Sequence, residues 1–140
     1  MTENEVKKKL SDLQANDTFS GINDLYIYNC DPGKLVIAGS FDFSYYHNIE
    51  IKFTDVSFIS CPGGGFHADV IRLANETEKA EIRKYSYGHC DGHIFCFEEK
   101  EPPAKFYVVA DDIDFQVKTV YYYKRENLKE NETIADWVKQ

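Results

Sequence analysis

The sequence predicts a mainly β domain: an antiparallel sandwich or barrel-like sheet with a short N-terminal helix. Three observations carry that reading. From Ile22 onward the apolar positions recur with a period of two, the spacing of a strand with one face buried. Turn residues interrupt this pattern at intervals of roughly 8–12 residues, as in sandwiches and barrels. Ten Tyr and ten Phe in 140 residues favour a pleated sheet, where large flat side chains pack well. The length fits a single domain spanning residues 1–140. Such a chain can bury about two thirds of its unfolded surface, so it folds without a metal or disulfide.

The elements follow in order. Residues Glu3 to Ala15 place Val6, Leu10 and Leu13 three to four apart, which predicts an amphipathic helix. After the break at Asn16 to Gly21, Leu25 and Ile27 alternate with Tyr26 and Tyr28, and 31-DPGK-34 is a turn. Leu35, Ile37, Gly39, Phe41 and Phe43 alternate with Val36, Ala38, Ser40 and Asp42, a half-buried strand. The loop around 44-SYYHN-48 leads into Ile49, Ile51 and Phe53. At Asp55 the phase slips to Val56 and Phe58, which predicts a bulge or bend. Cys61-Pro62 and three glycines end the strand. Asp69 to Ala74 reads as a strand. In 75-NETEKAEIRKY-85, Asn75 and Glu78 fit a capping box, but the low apolar count leaves helix and strand both open. Strands are expected at His93–Glu98, at Lys105–Ala110 and along the run from Ile113 to Tyr123. The tail 131-NETIADWVKQ-140 suits either a helical turn held by Trp137 or a last extended segment.

A formal charge of −8 argues against nucleic acid as a partner, because phosphate binding needs clustered Lys and Arg. It suits a basic protein partner, whose encounter it would accelerate, but solubility alone accounts for it and is the plainer reading. The N-terminal segment lacks the apolar core of a signal peptide, and no run approaches the ~20 apolar residues of a membrane span. A cytoplasmic protein away from membranes is therefore expected, with its four Cys reduced.

Two stretches concentrate reactive side chains, 61-CPGGGFH-67 and 89-HCDGHIFC-96. Asp91-Gly92 between apolar runs is a strong hairpin signal, since both turn positions need positive φ. Such a hairpin sets Cys90 opposite His93 and turns Cys96 to the other face, so the four residues of the motif cannot share one ion. Cys90 and His93 with Cys61 and His67 would be the ligand set of a zinc site, although the Cys-x5-His spacing is loose for zinc. A Cys90 thiol beside an imidazole meets only the proximity requirement of a nucleophile. The 63-GGG-65 stretch has no Lys-Ser/Thr and is not a phosphate loop. Asp111, Asp112 and Asp114 read as an acidic turn between two strands rather than a calcium loop. His47 reads as a surface turn residue. Tyr side chains on the outer face of the sheet would make a partner surface, because Tyr gives large contact area at low entropic cost; the equal alternative is an aromatic-rich sandwich core whose hydroxyls reach solvent.

The stretch Tyr45-Tyr46-His47-x-Ile49-Glu50-Ile51-x-Phe53-x-x-Val56, with Cys61-Pro62 and Arg72-Leu73-Ala74, resembles short uncharacterised bacterial β-rich proteins. Tyr122-Tyr123-Lys124-Arg125-Glu126-Asn127-Leu128 and Ile134-Ala135-Asp136-Trp137 extend the resemblance, which covers the chain from residue 35 onward. Some such small acidic proteins are grouped with immunity proteins that neutralise a cognate toxin. The resemblance implies a function of that type and transfers no site residue. The leading expectation is a non-enzymatic protein that binds another protein through Tyr45, Tyr46, His47 and Tyr122, without a cofactor. The alternative is a small zinc- or thiol-dependent enzyme using Cys61, His67, Cys90 and His93.

Overall fold

The structure, a computed structural model, describes residues 1–22, 24–88 and 91–139. Helix α1 (Glu3–Ala15) forms where the apolar spacing places it. Thr2 caps its first turn by accepting the Glu5 N–H, and Val6, Leu10 and Leu13 fall on one buried stripe. Asn16 ends α1 and caps a single further turn, α2 (Asp17–Ser20), by accepting the Thr18 and Phe19 N–H groups.

Among the described residues seven strands form one sheet: β1 (Asp24–Asp31), β2 (Lys34–Ser40), β3 (Tyr46–Ser60), β4 (Val70–Leu73), β5 (His93–Glu99), β6 (Ala104–Tyr121) and β7 (Glu132–Ile134). Helix α3 (Glu76–Tyr85) connects β4 to β5. The spatial order is β1-β2-β3-β6-β5-β4, antiparallel at every step, with β7 added parallel to the end of β6. The mainly β fold with an N-terminal helix is therefore as the sequence predicts. The sheet is not closed: a single bridge between Leu25 and Phe66 ties β1 to the loop before β4. No described helix is long and apolar enough to cross a membrane.

The core lies between α1 and one face of the sheet. Ile37, Ile51, Phe53, Phe95 and Phe97 pack there with the buried stripe of α1, and the rings of Phe53 and Phe95 are 5.1 Å apart. Each such side chain contributes about 1.5–3 kcal/mol when fully buried. Lys9 fixes the helix further by an ion pair to Asp114, 2.9 Å away on β6. A smaller cluster covers part of the opposite face, where Ile82 of α3 meets Ile94, Cys96, Tyr107 and Val109. Strand β5 is thus buried on both sides, which is why 94-IFCF-97 carries no polar position.

Several elements depart from the sequence expectations. The segment 75–85 is helix α3, begun by the reciprocal capping box of Asn75 and Glu78. Tyr87 and Gly88, expected on the first strand of an Asp91-Gly92 hairpin, instead follow helix α3 in a turn, and the expected Cys90–His93 pairing lies outside the described residues. Phe95 pairs with Leu73 and Val108, and Cys96 with Arg72 and Tyr107. Gly92 does adopt the positive φ (117°) foreseen for it, and a Cβ there would stand 2.9 Å from the Ala110 carbonyl. Gly92→Ala is expected to lower the stability measured by urea unfolding by about 2 kcal/mol. Asp111, Asp112 and Asp114 form no turn: they lie inside β6, a single strand of 18 residues. Inward positions on β6 change there from Val108 and Ala110 to Ile113, Phe115 and Val117. The change faces the predicted bend in β3, where Asp55 has φ 53° and the register shifts between Val56 and Phe58. The tail takes the extended alternative as β7.

Candidate functional site

The polar centre of the molecule is on the outer face of β1, β2, β3 and β6, opposite α1. On a regular strand, residues three apart face opposite sides. Here the pairing steps from His47↔Val120 to Ile49↔Val117, an irregularity between β3 and β6. With the local twist that such a bulge brings, His47 and Glu50 meet on one face. His47 is completely buried, which corrects its reading as a surface turn residue.

Both imidazole nitrogens are satisfied. His47 Nε2 lies 2.8 Å from Glu50 Oε2, and Nδ1 lies 2.6 Å from the Tyr122 hydroxyl. With Glu50 ionised, Nε2–H donates to the carboxylate. In the neutral imidazole, Nδ1 then accepts the Tyr122 O–H, and the Tyr122 oxygen is left to accept from the Tyr26 hydroxyl bonded to it. Glu50 Oε1 faces Lys118 Nζ at 3.4 Å and Lys52 Nζ at 3.9 Å. Burial works to raise the Glu50 carboxyl, but the His47 hydrogen bond and the Lys118 charge outweigh it and hold the group below its ordinary value.

Aromatic rings enclose this chain. Tyr28 sits edge-on to His47 with centroids 4.6 Å apart, Phe43 meets Tyr26 at 4.2 Å, and Trp137 leans on Tyr122 at 5.3 Å. Burial pushes the phenols of Tyr26, Tyr28 and Tyr122 upward, and the hydroxyl bond to Tyr26 adds to it at Tyr122. These phenols stay protonated and are poor nucleophiles. The network is built to hold β1, β3, β6 and the tail together. Next to it, Tyr28, Val36, Glu50, Lys52 and Lys118 line a cleft of about 230 Å³ whose far wall is the segment 133–136.

Of the other expected binding residues, Tyr45 is exposed and its ring meets that of Tyr123 at 6.3 Å. Tyr46 is half-buried against Tyr121, and Tyr122 is half-buried in the cluster just described. Of the four, only Tyr45 is exposed.

The expected metal ligands have separate neighbours. Cys61 points its thiol at the Tyr107 carbonyl (3.7 Å), and burial raises that thiol to about 12. His67 Nδ1 stands 3.6 Å from Glu99 and 3.9 Å from Asp69. His93 Nε2 donates to the Met1 carbonyl at 2.7 Å. Cys90 lies outside the described residues, among which no group of three or more His, Cys, Asp or Glu could hold a metal ion. Elemental analysis of the purified protein is expected to find less than stoichiometric zinc. One zinc per chain would restore the alternative. The sequence reading names neither Glu50 as the partner of His47 nor Lys118, Tyr26 and Trp137 as members of the cluster around that pair.

No protein-family model, curated protein or solved structure matches the chain.

Proposed function

We propose that the protein acts without catalysis by binding another protein, in the manner of an immunity protein that neutralises a toxin. The observation that carries this reading is a set of exposed aromatics in the β2–β3 connection and in the chain after β6. Phe41 (43% exposed) and Tyr45 (56%) share the short connection between β2 and β3, beside Tyr123 (39%), while Trp137 (60%) flanks Tyr122. Isolated exposed apolar residues are ordinary, but grouped Tyr and Trp are what interface hot spots are made of. Asp42 and Asp136 are exposed immediately beside Phe41 and Trp137, and the chain carries −8 overall, which favours a basic partner. Burial argues against thiol chemistry at Cys61 and at Cys96, whose thiol is raised to about 11.

The test uses two immobilised baits, the wild type and the variant Tyr45→Ala/Tyr123→Ala/Trp137→Ala, exposed to extract of the native host. A basic protein retained by the wild type and lost from the variant is the expected outcome. Equal retention by both, or no specific retention, counts against the reading.

A further inference from the structure

We propose that the cleft beside Glu50 is a binding site for a small organic monocarboxylic acid. Its carboxylate bridges Lys52 and Lys118, and its hydrocarbon part lies on Val36 and Ile134. This goes beyond the protein-binding reading and does not depend on it.

The charge at the cleft floor runs against that of the chain. In a protein of −8, two ammonium groups converge on one carboxylate. Glu50 offers the two ammonium groups a single oxygen between them, because its Oε2 is committed to His47. Its Oε1 is shared at 3.4 and 3.9 Å, longer than the roughly 2.7–2.9 Å of a charge-assisted N–H···O bond. Each ammonium has three N–H donors, and among the described residues Glu50 is its only ion-pair partner. Both stand within reach of the same oxygen atom, so their separation cannot exceed the sum of those two distances. A ligand carboxylate placed between them takes a hydrogen bond from each at ordinary length.

The remaining lining selects among anions. Val36 and Ile134 supply a strip of apolar wall that inorganic phosphate or sulfate would leave uncovered. The volume, about 230 Å³, lies below the roughly 300–1,000 Å³ of sites for drug-sized ligands and suits a short-chain acid. Asp136 on the wall and Glu50 on the floor oppose a second negative charge, so a monoanion is preferred to a dianion.

The chain's one tryptophan reports on this cleft, since Trp137 follows Asp136 and rests on Tyr122. Butyrate is titrated at constant ionic strength, with sodium chloride, butyramide and inorganic phosphate as comparisons. Trp137 fluorescence is read together with the methyl signals of Val36 and Val120 in a carbon–proton correlation spectrum. The expected result is a saturable response to butyrate alone, at least tenfold weaker in Lys118→Met and in Lys52→Met. Circular dichroism establishes that each variant is folded. If Lys118→Met does not fold, the more exposed Lys52→Met decides the question. No saturable change in either readout overturns the proposal. So does an equal response to butyramide, phosphate or chloride, or undiminished affinity in the folded lysine variants.

Discussion

Replacing Arg72 by Met is expected to destabilise the fold by about 3–4 kcal/mol, the lower part of the range for breaking a buried ion pair. The carboxylate at stake is Glu78, on the buried face of α3. Arg72 grips it with two bonds, Nη1 to Oε1 at 2.8 Å and Nη2 to Oε2 at 2.9 Å, and reaches Glu98 with Nε at 3.2 Å. Lys105 adds a contact of 2.7 Å, and the Asn75 N–H donates to Oε1. The side chain of Glu78 is 4% exposed while that of Arg72 is 30% exposed, so the two ends of the pair are not equivalent. Losing Arg72 leaves a buried carboxylate with one cation fewer. Losing Glu78 leaves cations that can turn to water. Glu78→Gln is therefore expected to cost less than Arg72→Met.

The same pair sets an acid limb. The hydrogen bond from Arg72 outweighs burial and, with Lys105, holds the Glu78 carboxyl far below its ordinary value. A group depressed in the folded state stabilises it fully above the unfolded value, about 4.3, and loses that contribution as pH falls through the folded value. In Arg72→Met the folded value rises toward the unfolded one. The deficit relative to wild type is thus largest near pH 7 and narrows as pH falls below about 4. Urea unfolding at pH 7, 5, 4 and 3 measures it, and a deficit constant across that series contradicts the assignment.

The second large effect is at His47. His47→Phe keeps a ring in the site, but leaves Glu50 Oε2 and the Tyr122 hydroxyl without their buried partner. A loss of about 3 kcal/mol is expected, combining an unpaired polar group with a weakened buried charge cluster. Tyr122→Phe removes one hydroxyl and leaves the ion pairs, so about 1–2 kcal/mol is expected. Because His47 is enclosed, His47→Phe should leave partner affinity unchanged under conditions where the variant is folded. Unfolding curves for stability and calorimetry for binding separate the two effects. An affinity loss in folded His47→Phe would return this residue to the contact surface.

The elements legible in the sequence are those whose burial is apolar and local. Val6, Leu10 and Leu13 announce α1, the Leu35–Ile37 and Ile49–Phe53 alternations announce β2 and β3, and the slip at Asp55 announces the bend. Helix α3 was ambiguous for a physical reason: its buried face carries only Ile82 and the charged Glu78, whose burial depends on Arg72 in the preceding strand. Hydrophobic periodicity has no term for a charge compensated from elsewhere. With α3 unresolved, Asp91-Gly92 read as a hairpin, since that rule presupposes a strand on each side. The polar centre was hidden differently. Glu50 follows His47 by three, a spacing that on a regular strand separates the two, and Tyr122 lies 75 residues away. The register irregularity and the long-range pairing that join them leave no local sign.

The proposed working surface is the set of exposed aromatics, and not the buried His47 network. Its most direct test is the calorimetric affinity for the captured basic partner. Wild type is compared with Tyr45→Ala/Tyr123→Ala/Trp137→Ala and with folded His47→Phe. Three lost contacts of about 1–2 kcal/mol each predict at least a hundredfold weaker binding for the triple variant, with His47→Phe equal to wild type. A triple variant that binds as tightly as wild type would contradict it.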